Sequence, residues 1–203
     1  MARNREFDTE RVVSKAMEMF WQNGYHGVST QEMIDEFGIS KSSMYGAFGD
    51  KMQLFIVALE LYGSEIIKNI STRLDKCKDV AKEIRSILTE TAYGAIADSE
   101  HKGCFMVNTA IELAPHHELI LKMVNDHRKK LENIFADAIQ KGIEHNFIRA
   151  DVSPAAISKL LCTALNGIYV DSKYLRSKKY FDEIIDSVMS VIVCIHSPAF
   201  SNR

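Results

Sequence analysis

Apolar residues recur at three- and four-residue spacing along almost the whole chain, and that period predicts helices rather than strands. Val12, Val13, Ala16, Met19 and Phe20 make one such face, opened by a cap at Asp8 or Thr9 and closed at Gly24. Ser29 followed by Glu32 has the spacing of a capping box and predicts a short second helix, 30–37. Gly38 supplies a turn, Ser40 caps a third helix to about Ala47, and Gly49-Asp50 opens a fourth. Beyond Lys51 the pattern lengthens into helices near 50–75, 78–98, 102–113, 116–145, 153–175 and 179–196. His101–Gly103 and Ala114-Pro115 interrupt it, and Asp151–Pro154 reads as a loop, an N-cap and a first-turn proline. No alternating run is bounded by turn residues, and the prolines are only Pro115, Pro154 and Pro198. The expected fold is all-α with about nine helices. A three-helix head (residues 1–50) would lead without a linker into a helical body (51–203).

Residues 29–45 carry the features of a helix-turn-helix. Gly38 permits a sharp turn, and Met33, Ile34, Phe37, Ile39 and Met44 can wedge two helices at a fixed angle. The second of these helices would then present Lys41, Ser42, Ser43, Tyr45 and Gly46 outward. These are short polar groups suited to base edges, with a lysine and a tyrosine to reach phosphate. Composition alone does not argue for a polyanion partner. The net charge is −2, and residues 1–51 hold six Lys and Arg against eight Asp and Glu. Distribution changes the picture, because no acidic residue lies between Ile39 and Phe48. Arg3 and Arg5 make a basic arm, and Lys51 stands at a helix start, where backbone N–H groups also favour phosphate.

The pattern Val12-Val13-x-x-Ala16-x-x-Met19-Phe20, Gly24-Tyr25, Gly38-Ile39-Ser40-Lys41, Met44-Tyr45-x-x-Phe48 and Lys51-x-x-Leu54-Phe55 resembles the head of TetR-family transcriptional regulators. The resemblance covers about a quarter of the chain. It implies a homodimeric DNA-binding repressor that places one recognition helix per subunit in successive major grooves of operator DNA, and the scattered cysteines, with no CxxC pair, fit a reduced, cytoplasmic protein. A small-molecule inducer would bind the body and release the DNA. The candidate DNA-contacting set is Arg3, Arg5, Ser29, Thr30, Gln31, Lys41, Ser42, Ser43, Tyr45, Gly46 and Lys51. Two places depart from the family pattern. Ile34 and Phe37 stand where small alanines are usual, and Gly46-Ala47 replaces a pair that is often histidine or aromatic.

For the body, small and apolar residues on the helix 153–175 (Leu160, Ala164, Gly167, Ile168) and a broad stripe on 179–196 (Ile184, Ile185, Val188, Ile192) suggest a four-helix dimer face. Ile195 extends that stripe. A ligand pocket is expected around Tyr93, Cys104, Phe105, Met106, Asn108, Thr109, Glu112 and His127, an apolar lining with a few polar groups, although Met and Phe at this spacing also make ordinary core. Cys104 follows Lys102 at a helix start, a setting that favours thiolate and hence attack on an electrophile or oxidant, against the alternative of a buried structural cysteine.

No cofactor and no metal is expected. Cys77, Cys104, Cys162 and Cys194 form no CxxC pair, and His101, Cys104, His116 and His117 match no compact ligand spacing. No apolar run is long enough to span a bilayer, and the opening Met1–Glu6 run lacks a signal-peptide core. No phosphate loop, HExxH or G-x-S-x-G occurs, which argues against an enzyme. Apolar residues at 46% and charged residues at 26% fit a globular protein.

Overall fold

The computed structural model describes residues 8–193; Arg3, Arg5, Cys194 and Ile195 lie outside them. The described residues form helices α1 (Thr9–Asn23), α2 (Thr30–Phe37), α3 (Lys41–Phe48), α4 (Lys51–Lys76), α5 (Val80–Ala97), α6 (Phe105–Glu112), α7 (Glu118–Glu144), α8 (Pro154–Asp171) and α9 (Lys178–Ile192). A 3-10 turn, Ala114–His116, lies between α6 and α7, and there is no strand among these residues.

The capping chemistry expected from the sequence sets the ends. Asp8 accepts from the amides of Glu10 and Arg11, and Ser29 and Glu32 complete a reciprocal capping box. Ser40 accepts from Ser43 N, and Asp50 Oδ1 accepts from Gln53 N at 2.8 Å at the start of α4. Gly38, at φ 67° and ψ 33°, takes the left-handed conformation that ends α2. Two later boundaries differ from expectation. α6 begins at Phe105 rather than 102, because His101 (φ 55°) and Gly103 (φ 66°) both turn left-handed and leave Cys104 as the cap. α8 stops at Asp171, and a turn leads to Ser177, which caps α9.

By packing, the described residues divide into two units, those up to Glu65 with Cys104–Val124, and Ile66–Gly103 with those from Asn125 onward. The division differs from a cut after residue 50, since α6 joins the head and the boundary falls within the unbroken α4. The head unit is rich in aromatic contacts. Phe20 meets Phe55 edge-on at 5.0 Å, Phe55 meets Phe105 at 5.3 Å, and Phe105 meets Tyr62 at 5.7 Å.

The body unit packs α5 against α8 and α9. Its core is mainly aliphatic, with Ile84, Leu88, Ile139, Leu161, Ile185, Met189 and Ile192 joined by Phe135 and Phe181. Polar pairs tie the helices at the perimeter. Arg73 reaches Glu83 at 2.6 Å and Glu90 at 2.7 Å, Arg85 reaches Asp186 at 2.8 Å, and Tyr93 OH donates to Asp182 at 2.8 Å. Arg176 donates to the carbonyls of Ala95 and Ile96, closing the last turn of α5.

Candidate nucleic-acid interface

Within the head, α2 and α3 meet through Gly38, with Met33, Phe37 and Met44 fully buried behind them. The bulk of Phe37 is accommodated in the core, and Ile34 is half-buried. Opposite that packed face, Lys41, Ser42, Tyr45 and Gly46 are exposed, and Ser43 is half-buried. A side chain at Gly46 would meet no atom within 4 Å, so the backbone of α3 is bare at that point. Ser40 Oγ lies 3.0 Å from Ser42 Oγ and 2.8 Å from Ser43 Oγ, a hydroxyl cluster at the start of α3. The Lys41 ammonium lies 5.9 Å from the centre of the Tyr45 ring. The open face therefore combines one cation, a phenol and small polar groups.

The remaining candidates are divided by what they already hold. Ser29 is spent on the cap of α2, and Thr30 is half-buried at its first turn. Gln31 is exposed and donates to Asp35 Oδ1 at 2.9 Å. Lys51 is half-buried, its Nζ 4.3 Å above the Tyr25 ring. Burial lowers its pKa, opposed by the carboxylates of Glu112 and Glu32.

Three further residues, none of them in the expected DNA-contacting set, make contacts within the head. Lys15 Nζ donates to the Glu36 carbonyl and to Glu36 Oε1, each at 2.7 Å, satisfying an end carbonyl of α2 just before the Gly38 turn. Those contacts hold the Glu36 carboxyl below its usual range. Tyr25 packs against Phe20 and Phe55, and burial, with Asp50 second, raises its phenol pKa. Glu112 accepts from Tyr25 N at 3.0 Å and His26 N at 2.8 Å. No local sequence signal marks such pairs, because the partners are far apart in the chain.

The family model for bacterial regulatory proteins of the tetR family matches residues 12–58, the segment that carries this face. The model for the tetracyclin repressor-like C-terminal domain matches residues 80–188, more than half the chain. The chain belongs to the TetR family. It is a TetR-family DNA-binding transcriptional regulator. Its relatives include the uncharacterized regulator YezE of Bacillus subtilis (strain 168), 28% identical over 95% of this chain and 100% of that protein. The transcriptional repressor ComR of Escherichia coli (strain K12) is 30% identical over 56% of this chain and 54% of its own. Among solved structures, a cysteine mutant of the TetR-family regulator CifR complexed with 26-base-pair operator DNA superimposes with a TM-score of 0.82 at 24% identity. That match covers 94% of this chain and 100% of that one, a likeness of fold.

In this TetR-family chain the residues expected around a ligand fall in both packing units. Cys104, Phe105, Met106, Asn108, Thr109 and Glu112 belong with the head, Tyr93 and His127 with the body. Cys104 is buried and not disulfide-bonded, Met106 is buried and Asn108 half-buried. Thr109 is 1% exposed, and its hydroxyl has no hydrogen-bond partner. Tyr93 has its hydroxyl on Asp182 and Lys178 over its ring, whereas burial pushes the His127 imidazole down to about 4. Glu112 holds the head's own amides rather than open space.

The proposed dimer residues also divide. Ile168, Ile185, Val188 and Ile192 are buried within this chain's own core, so the breadth of the α9 stripe is explained without a partner. Ile184 is partly buried against the same core. Leu160 is exposed, Ala164 half-buried, and Gly167 faces open space, with Val170 and Val191 also exposed. No helix among the described residues is long and apolar enough to cross a membrane.

Proposed function

We propose that this regulator is a homodimeric, cytoplasmic repressor that leaves its operator when a small molecule engages the region around α6. The observation that carries the DNA reading is the exposed face of α3, where Lys41, Ser42, Tyr45 and Gly46 stand clear while the acidic groups near them are tied up in caps and clamps. Lys41 and the Tyr45 hydroxyl supply phosphate contacts, and the bare backbone at Gly46 lets α3 approach base edges closely. Lys51 serves better as a charge at the flank of α3 than as a free phosphate ligand, since Tyr25 already holds it. Dimerisation through the exposed edge of α8, Leu160 with Gly167, supports two heads on half-sites about 34–36 Å apart.

Ligand response is supported by one polar group buried at a cost, the unpartnered Thr109 hydroxyl, and by the half-buried His127, whose imidazole is neutral. A ligand that hydrogen-bonds the Thr109 hydroxyl supplies the bond it otherwise lacks, and it shifts population toward a state that binds DNA less well. The unbroken α4 is the covalent path for that shift. A second reading rests on Cys104, the residue at the N-cap of α6, whose side chain makes no capping bond. Alkylation or oxidation of its sulfur adds bulk at that helix start.

The test is operator binding. Genomic fragments that include the protein's own upstream region are titrated across a salt series, with Lys41→Ala and Tyr45→Phe as controls. Specific binding is expected, with Lys41→Ala reducing the logarithmic salt slope by about 1. Binding that is insensitive to both substitutions and to salt would remove α3 from the interface.

A further inference from the structure

We propose that Glu112 is a positioning residue for DNA binding, a carboxylate on α6 that fixes the turn between α1 and α2. The inference rests on the reading of α3 as the DNA-contacting helix and adds what holds that helix in place.

The turn after Gly24 leaves backbone donors with no partner in either flanking helix. Two of them, the amides of Tyr25 and His26, donate to separate oxygens of one carboxylate, Oε2 at 3.0 Å and Oε1 at 2.8 Å. Hydrogen bonds to an ionised acceptor are short and strong, and two to one planar group set orientation as well as distance. The approach is close: a Cβ added at Gly24 would lie 2.8 Å from Oε2. The same carboxylate acts on the charge of Lys51, which sits over the Tyr25 ring at the start of α4.

The helix-turn-helix is thus held at two places. Lys15 fastens the C-terminal end of α2 through the Glu36 carbonyl, and Glu112 fastens the backbone that leads into α2. Glu112 lies on none of the helix-turn-helix elements, yet it orders the backbone that aims α3.

The test uses the full-length protein with Glu112→Ala, Glu112→Gln and Lys41→Ala. Operator affinity, hydrogen exchange at the Tyr25 and His26 amides, and thermal melting are read together. Glu112→Ala is expected to release both amides to fast exchange and to weaken operator binding roughly tenfold in protein that is still folded, with the salt slope unchanged. Glu112→Gln keeps one acceptor oxygen and is expected to fall between the two. It carries the test by the same criteria should the alanine variant fail to fold. Lys41→Ala weakens DNA binding with both amides still protected, which separates a failure of the DNA reading from a failure of the clamp. The proposal is overturned if the Glu112 variants bind operator within twofold of the parent, or if affinity falls only in proportion to the unfolded fraction. Weaker binding with both amides still protected overturns it as well.

Discussion

The head and the body solve the same packing problem with different materials. In the head, Phe20, Phe55, Phe105 and Tyr62 meet edge-on, and several polar side chains are used to fix backbone: Lys15 on a carbonyl, Glu112 on two amides, Ser29 in a capping box. In the body the core is mainly aliphatic, and its polar pairs join one helix to the next at the perimeter, as Arg85 does with Asp186 and Tyr93 with Asp182. Edge-on aromatic pairs prefer particular geometries, whereas aliphatic surfaces tolerate repacking at constant volume. The head is therefore built to hold a direction, which reading a groove requires. The body is built to hold a volume, which leaves its surface open to change.

The largest expected effect tests whether the aromatic cage is the head's main support. Phe55→Ala should cost about 3–5 kcal/mol in urea denaturation followed through the single Trp21, which lies edge-on to Tyr62 at 5.0 Å. A loss below about 1 kcal/mol would erase the contrast.

Next comes acid sensitivity, which sharpens the body's side of it. His127 is pushed down to about 4 by burial, with Lys130 second, against an ordinary value of 6.5. The unfolded chain takes up this proton first, so the folded state is favoured above the ordinary pKa and loses that support as pH falls from about 6.5 toward 4. The loss should approach about 3 kcal/mol. A His127→Phe variant should show a flatter stability profile across that window in denaturant titrations, and an unchanged slope would mean that His127 is solvated.

The smallest effect concerns the perimeter. Tyr93→Phe removes the bond to Asp182 from a partly exposed seam and should cost under about 1 kcal/mol, with operator affinity unaltered. A larger loss would show that the seam, not the aliphatic core, holds α5 to α9.

The head was the more legible region because its signals are local. Gly24, Gly38 and the Ser29/Glu32 pair act within four residues, so spacing alone exposes them. The body hides its logic in longer relations. The apolar width of α9 suggests a subunit interface, whereas the structure turns Phe181, Ile185, Val188, Met189 and Ile192 into the chain's own core. Glu112 was legible only as one polar group on an apolar helix. Its partners lie 87 and 86 residues earlier, and nothing in a single sequence links an acid to a backbone amide at that separation. Lys15 is the same case at shorter range, a cation whose targets are the carbonyl and the carboxylate of one residue, Glu36.

The fit of Gly24 against Glu112 also constrains how sequences in this lineage can drift. Gly24 has a positive φ of 73°, and a Cβ there would lie 2.8 Å from the carboxylate. A descendant that gained a residue at 24 would have to shorten or reorient the one at 112, and a descendant that lost the acid would relax the steric bar at 24. A side chain at 24 therefore requires a change at 112 and still meets the strain of that φ, although one position belongs to the most recognisable stretch of the chain and the other to a helix that no motif marks.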